Sequence, residues 1–207
     1  MRILLPALTG LLATAHQLRA QEEVASDFRG VEWKWAPFVG YAQNSPAGNR
    51  WGITPDWNHL FLGVHLETTV LRLRSATLSY APVVVPLLML THHPADAAWA
   101  QKPIYAIGLA PFGLRFAIAV SRKHEIFGAS AVGGLWSTRP IPDPDARAFN
   151  VTLEWGGGVD IAVVRRHSLQ LGYKFHHLSN VYTAAWNPGL DGHVVFAGWR
   201  STARLGR

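Results

Sequence analysis

A fifteen-residue alternation between apolar and polar side chains constrains the fold of this chain more than any other feature. Successive side chains of a β-strand point to opposite faces, so every second residue shares a face. One face carries Phe149, Val151, Leu153, Trp155, Gly157, Val159, Ile161 and Val163, and the other carries Asn150, Thr152, Glu154, Gly156, Gly158, Asp160 and Ala162. Few strands of soluble proteins are this long. A strand that crosses a bilayer needs about 9–11 residues and often extends beyond it.

The same alternation recurs over Val31–Tyr41, Leu60–Val70, Phe112–Val120 and Leu169–Phe175. Together with the spacing of the weaker segments, it predicts eight strands, at residues 31–42, 59–72, 76–90, 113–121, 125–137, 148–164, 168–181 and 191–200. Their connections alternate in length. The short, basic ones are Leu73–Ser75, Arg122–His124 and Arg165–His167, and the long ones, rich in Pro, Asn and Gly, are Gln43–Asp56, Thr91–Pro111, Thr138–Arg147 and Tyr182–Gly189.

Short turns at one end and long loops at the other are typical of outer-membrane barrels. The sequence therefore predicts an all-β fold, an eight-stranded antiparallel transmembrane β-barrel with short periplasmic turns and longer outer loops. The interior of an eight-stranded barrel is filled by side chains. We therefore expect no pore, and ion pairs within the lumen among Glu67, Glu154, Asp160, Arg115 and Lys174.

Alternation alone does not say which face lies inside. A soluble lipocalin-like barrel would point its apolar faces inward, its charges outward, and bind a small apolar ligand in its lumen. Strand length, aromatic residues on the apolar faces and the unequal loops favour the membrane barrel over this alternative.

The composition excludes several other classes. The chain has no cysteine, which excludes disulfides, thiol catalysis and zinc–thiolate sites. Its formal net charge is +6, but the basic residues are scattered in small groups rather than concentrated on one face. The charge therefore does not indicate a nucleic-acid partner.

The first twenty residues read as a signal peptide, because Arg2 precedes a short apolar run that ends near Ala20. The alternative is a buried helix of the mature domain. The predicted organisation is a signal peptide at 1–20, a lead-in at 21–30, the barrel at 31–200 and a C-terminal tail at 201–207. Such a chain would be exported to the outer membrane of a Gram-negative type of cell.

Candidate catalytic residues lie close to the C-terminus. His177 and Ser179 are two apart on a predicted strand, so they share a face, and the turn signal Asn187–Gly189 brings Asp191 back beside them. On this one hairpin, the serine, the histidine and the carboxylate could act as nucleophile, base and orienting acid. In the membrane barrel this face meets lipid, which suits a hydrolase of a membrane lipid. The alternative is a His/Ser pair that only binds lipid headgroups.

The segment resembles the lipid A 3-O-deacylase (PagL-type) family, whose signature is His-x-Ser-Asn followed by Asn-Pro-Gly and an acid. Here these positions are His177–Asn180, Asn187–Gly189 and Asp191, and Ile107–Leu114 and Phe149-Asn150 also resemble the family pattern. The resemblance implies that Ser179 is the nucleophile, His177 the base and Asp191 the acid. It assigns Asn187 to the oxyanion hole and Asn180 to a supporting position.

The chain departs from the family pattern at a few positions. The best-known members have Glu where this chain has Asp191, and many have a small residue and Gly where it has Val181 and Tyr182. The chain also continues past Trp199 to Arg207, whereas many barrels end on an aromatic residue.

The resemblance implies a serine esterase that removes an ester-linked 3-hydroxyacyl chain from lipid A of lipopolysaccharide in the outer leaflet, without metal or cofactor. Arg50 or Arg139 would contact the lipid phosphates. The sequence leaves open whether the protein forms a homodimer. A structural or adhesive barrel without activity is the alternative. Of the other histidines, His65 and His176 are expected in the lumen and His92-His93 in a solvated loop. His193 shares the face of Asp191 and is expected near the site.

Overall fold

The computed structural model describes residues 32–43, 45–46, 54, 56–92 and 102–204. The predicted signal peptide and lead-in lie outside the described residues, as do Arg50, His93 and the last three residues. Trp33–Ala203 form one compact unit, and of the other unit only Glu32 and Arg204 are described. Among the described residues there is no helix long and apolar enough to cross a membrane.

Every described element of regular structure is a β-strand. The strands are β1 (Glu32–Ala42), β2 (Trp57–Leu73), β3 (Ala76–Tyr80), β4 (Val83–His92), β5 (Ile104–Ala119), β6 (His124–Ile141), β7 (Arg147–Val164), β8 (His167–Ser179) and β9 (Leu190–Arg204). Neighbours pair antiparallel, and β1 pairs with both β2 and β9, which closes the sheet into a ring. The all-β barrel predicted from the sequence is thereby confirmed.

The predicted strand at 76–90 is divided into β3 and β4. Both halves pair with β2 and with β5. Together they therefore occupy the position of one strand in an eight-stranded barrel. The break falls at Ala81–Pro82, where proline has no N–H to give to a ladder. The chain stays tied to its neighbours there, because Ala81 N–H donates to Gly113 O at 2.8 Å and Leu66 N–H donates to Pro82 O at 2.9 Å.

The predicted boundaries of other strands are corrected. β5 begins at Ile104 instead of residue 113, because its outward face changes parity across a bulge between Leu109 and Phe112, which hides the alternation in the sequence. β6 extends to Ile141, so the loop after it begins later than Thr138. β8 ends at Ser179 instead of residue 181, and β9 continues beyond residue 200 to Arg204.

The outer wall is apolar and the lumen is polar. Ile107, Phe112 and Leu114 on β5 are all more than half exposed, whereas Arg115, Glu154, Asp160 and Lys174 are buried inside. This is the arrangement of a barrel in lipid. The lipocalin-like alternative requires the opposite faces, so it is not favoured.

Charged residues fill the half of the lumen nearest the short turns. Arg115 donates to Asp160 at 2.8 Å and lies 3.5 Å from Glu67, and Lys174 donates to Glu154 at 2.8 Å. The predicted lumen pairs are thus confirmed. The structure adds three members that the sequence reasoning did not place there, namely Arg200, Glu125 and Lys34.

Glycine makes room for aromatic rings inside the barrel. Phe38, Phe127 and Phe196 pair across the ladder with Gly63, Gly158 and Gly172, respectively. A Cβ at any of these glycines would collide with the ring of its partner. An aromatic ring laid over a cross-strand glycine covers backbone that would otherwise be unpacked.

Arg200→Met is expected to lower the free energy of unfolding by about 3 kcal/mol, because it leaves buried carboxylates with fewer cations. The Arg200 guanidinium donates to Asp160 at 2.6 Å and also bonds to Glu67, and both carboxylates are nearly inaccessible. Urea unfolding of the refolded barrel measures the loss. Arg74→Met in the exposed β2–β3 turn is the control and should be neutral. Equal stability of both variants would contradict this role of the network.

Candidate active site

The site is built where β8 ends and β9 begins, at the long-loop end of the barrel. The ladder between these strands pairs His177 directly with Asp191 and Leu178 with Leu190. Directly paired residues of antiparallel strands share a face. The hairpin therefore brings together an imidazole and a carboxylate that are fourteen residues apart in sequence.

His177 and Asp191 are in hydrogen-bond contact. Nδ1 of His177 lies 2.6 Å from Oδ1 of Asp191. Asp191 is fully buried, and His177 is 8% exposed. A carboxylate accepts a hydrogen bond from an N–H, so this contact places the ring proton on Nδ1 and makes Nε2 the basic nitrogen. It also fixes the plane of the ring.

Ser179 is the last residue of β8 and lies on the same face as His177. Along this outward row Leu171 and Tyr173 are exposed toward lipid, whereas His177 and Ser179 are covered and only 8% and 9% exposed. The hydroxyl is thus set at the upper edge of the lipid-facing wall, sheltered from bulk solvent but not sealed off. A group from a membrane lipid could approach it from the side.

Asn180 and Asn187 hold the loop that follows Ser179. The N–H of Asn180 donates to Oδ1 of Asn187 at 3.0 Å, and Nδ2 of Asn180 donates to the carbonyl of Trp186 at 2.8 Å. Because an N–H must face oxygen, the Asn187 amide is oriented with its Oδ1 toward Asn180. Its NH₂ group is then the end that could serve a substrate.

Val181 and Tyr182, where the resemblance leads us to expect a small residue and Gly, both adopt the left-handed backbone conformation, with φ of 46° and 60°. Glycine takes this conformation without penalty, whereas a β-branched or aromatic residue pays roughly 1–3 kcal/mol. The turn is held by hydrogen bonds to its neighbours: Thr183 Oγ1 donates to Asn180 O at 2.8 Å, and Arg147 donates to Thr183 O at 2.9 Å. The loop therefore keeps the left-handed backbone conformation that glycine favours, although neither residue is glycine.

The other candidate residues lie apart from this hairpin. Arg139 donates to the carbonyls of Lys102 and Pro103, so it braces the start of β5. His65 and His176 point into the lumen, as predicted. Among the described residues no group of three or more His, Cys, Asp or Glu side chains could hold a metal ion.

Two features of the site region were not found from the sequence. A lumen histidine, His59, is fully buried against Gly192, the residue after Asp191, where a side chain would collide with its ring. On the outer wall, Tyr173 and His193 are joined by a hydrogen bond. The parity of His193 pointed to the face of Asp191, but nothing local indicated Tyr173 as its partner.

Comparison with known proteins decides the family. A family model described as lipid A 3-O-deacylase (PagL) matches residues 30–200. The chain belongs to this family. The lipid A 3-O-deacylase resemblance is confirmed by the match, and membership makes the chain an outer-membrane barrel with lipid A as its substrate.

Solved structures agree on the fold. The crystal structure of the outer membrane enzyme PagL aligns with a TM-score of 0.61 at 12% identity, covering 79% of this chain and 97% of that chain. Ail, the attachment invasion locus protein of Yersinia pestis, aligns with a TM-score of 0.51 at 7% identity, covering 85% and 100%. At these identities the likeness supports the barrel fold alone. No curated protein matches the sequence.

Proposed function

We propose that this member of the lipid A 3-O-deacylase family is a serine esterase whose triad is Ser179, His177 and Asp191. The observation that carries the proposal is the 2.6 Å contact between Nδ1 of His177 and Oδ1 of Asp191, with Ser179 next on the same outward face. A buried acid, a base that it orients and a hydroxyl beside them are the parts that nucleophilic ester hydrolysis requires.

The reaction follows from these positions. Ser179 Oγ attacks the carbonyl carbon of the ester while Nε2 of His177 accepts its proton, and Asp191 stabilises the imidazolium that forms. The tetrahedral intermediate collapses, the sugar oxygen leaves with the proton from His177, and an acyl-enzyme remains on Ser179. Water, deprotonated by His177, then attacks this ester, His177 returns the proton to Ser179 Oγ as the acyl bond breaks, and the 3-hydroxy fatty acid is released.

Asn187 is the proposed oxyanion donor. Its Oδ1 accepts from the Asn180 N–H, so its Nδ2 can face the developing negative charge. Asn180 is a positioning residue in this scheme, because its own bonds to Asn187 and Trp186 set the orientation of that amide.

The location of the hairpin fits the substrate. Ser179 lies at the end of the lipid-facing row, where the ester bonds of an outer-leaflet lipid meet the headgroup region. All the proposed groups come from one chain, so the reaction needs no second subunit. Export by the predicted signal peptide at 1–20 belongs to the same proposal.

A fluorophosphonate probe tests the proposal on the refolded wild-type barrel. We expect the probe to label the peptide that carries Ser179, and to block the loss of one 3-hydroxyacyl mass from purified lipid A. Mass spectrometry measures both results. Labelling of another residue, or deacylation that persists in the fully labelled protein, would show that Ser179 is not the nucleophile.

A further inference from the structure

The three short turns of the barrel share one pattern, which the proposed reaction does not use. They join β2 to β3, β5 to β6 and β7 to β8, so all three lie at the end opposite the long loops. Each turn has two basic residues in or beside it, and residues 72–75, 121–124 and 164–167 contain no carboxylate. We call the six cations the basic rim: Arg72, Arg74, Arg122, Lys123, Arg165 and Arg166.

The basic rim has no counter-ions within the described part of the chain. All six residues are exposed, and their side chains make no ion pair or hydrogen bond with any described residue. The carboxylates closest to this end are already paired inside the lumen, where Arg115 and Arg200 bind Glu67, Glu125 and Asp160. The positive charge of the rim is therefore available to an external anion.

The rim lies where the membrane-facing wall ends. Leu73, Val120 and Val163 are the last outward apolar residues before the turns, and each is more than half exposed. Long Arg and Lys side chains at the edge of an apolar wall place their charges in the headgroup layer. Five of the six cations are arginine, whose guanidinium can bind a phosphate through two parallel hydrogen bonds.

We propose that the basic rim binds anionic phospholipids of the periplasmic leaflet of the outer membrane. A headgroup with a net negative charge supplies the counter-ion that the rim lacks, whereas a zwitterionic headgroup brings a cation of its own. The apolar residues beside each turn favour a lipid over a soluble polyanion, because they keep the rim at the membrane surface. This inference does not depend on the esterase function, whose proposed triad lies at the long-loop end.

Native mass spectrometry of the full barrel tests the proposal. The protein is refolded into phosphatidylcholine vesicles that contain about one third phosphatidylglycerol and is released into mild detergent. Wild type should retain phosphatidylglycerol at least roughly fivefold over its share of the vesicle, since one cation near an anionic surface contributes about that factor. Replacing all six cations with Gln should abolish this enrichment. Washing wild type with about 0.5 M salt should weaken it.

The matched control replaces the five rim arginines with Lys, which keeps every charge and should keep the enrichment. Heat-modifiable gel migration verifies that each variant is folded. Enrichment that survives in the Gln variant, or a wild type without enrichment, would overturn the proposal. So would equal losses in the Lys and Gln variants, because charge would then not be the cause. Displacement of the bound lipid by inorganic polyphosphate would assign the rim to a soluble polyanion instead.

Urea unfolding in vesicles gives a second readout. Wild type should unfold at a higher urea concentration when phosphatidylglycerol is present, and the Gln variant should show no such gain. In phosphatidylcholine alone the two proteins should be equally stable, so Arg74→Met is a neutral control in zwitterionic lipid. An equal loss of stability in both lipids would contradict the proposal, because the cations would then act within the protein. Lipid A deacylation by the Gln variant should match wild type, which tests the proposed function separately.

Discussion

Ser179→Ala is expected to abolish lipid A deacylation, with kcat lowered by roughly 10⁴- to 10⁶-fold. Alanine has no oxygen to form the acyl-enzyme, and any residual rate comes only from the oxyanion donor and from substrate binding. The change removes one hydroxyl at the end of β8 and leaves the β8–β9 ladder unaltered, because that ladder is made by backbone groups.

The measurement is mass spectrometry of lipid A from cells that make wild type or the variant. Wild type should yield lipid A lighter by one hydroxyacyl unit, and Ser179→Ala should not. Heat-modifiable gel migration verifies that both barrels are folded. Ser130→Ala, a serine exposed on the outer face of β6, is the matched control and should be fully active. Deacylation by the folded Ser179→Ala protein would eliminate Ser179 as the nucleophile.

Asp191→Asn should lower kcat by about 10⁴-fold, although the substitution is nearly isosteric. The carboxylate accepts from Nδ1 of His177 at 2.6 Å and so keeps Nε2 basic. An amide that donates to Nδ1 would favour the opposite tautomer, in which Nε2 carries the proton and cannot accept one from serine. The rate of fluorophosphonate labelling of Ser179 follows this loss without any lipid substrate.

Asp191→Glu separates geometry from charge at the same position. The acid is fully buried, so a longer side chain must displace its surroundings or move the imidazole by about 1 Å, at a cost of about 10²-fold in rate. We therefore expect the Glu variant to be less active than wild type, although the best-known family members have Glu at this position. It should still be more active than the Asn variant, because it keeps the negative charge. An Asp191→Asn protein as active as wild type would leave Asp191 without a role in orienting the base.

The sequence alone was sufficient to predict the fold and to predict which residues of a strand share a face. The two-residue period of a strand is a local property, and Phe149–Val163 shows it without interruption, so β7 was predicted to within one residue. The same reading failed where the period is broken. At the bulge after Leu109 the outward face changes parity, so the alternation predicts a loop where the first half of β5 lies.

Within the hairpin the sequence predicts the proposed catalytic residues, and the ladder gives the contact between two of them, His177 and Asp191. The spacing of His177 and Ser179 placed them on one face, and the turn at Asn187–Gly189 suggested that Asp191 returns beside them. Only the register makes Asp191 the direct partner of His177, since a slip of one residue would have turned it into the lumen. The left-handed backbone at Val181 and Tyr182 also had no signal in the sequence, because neither residue is one that prefers it.

The sequence by itself determined that this chain is a barrel with one apolar and one polar face, and which short segment could carry chemistry. The tertiary structure decided which face lies inside, that Arg200 from the last strand joins Glu67 and Asp160 in the lumen, and that Tyr173 meets His193 on the wall. Alternation is set by neighbours along the chain, so it can be read locally. These contacts join residues from different strands, and only closure of the ring and the register of each ladder bring them together.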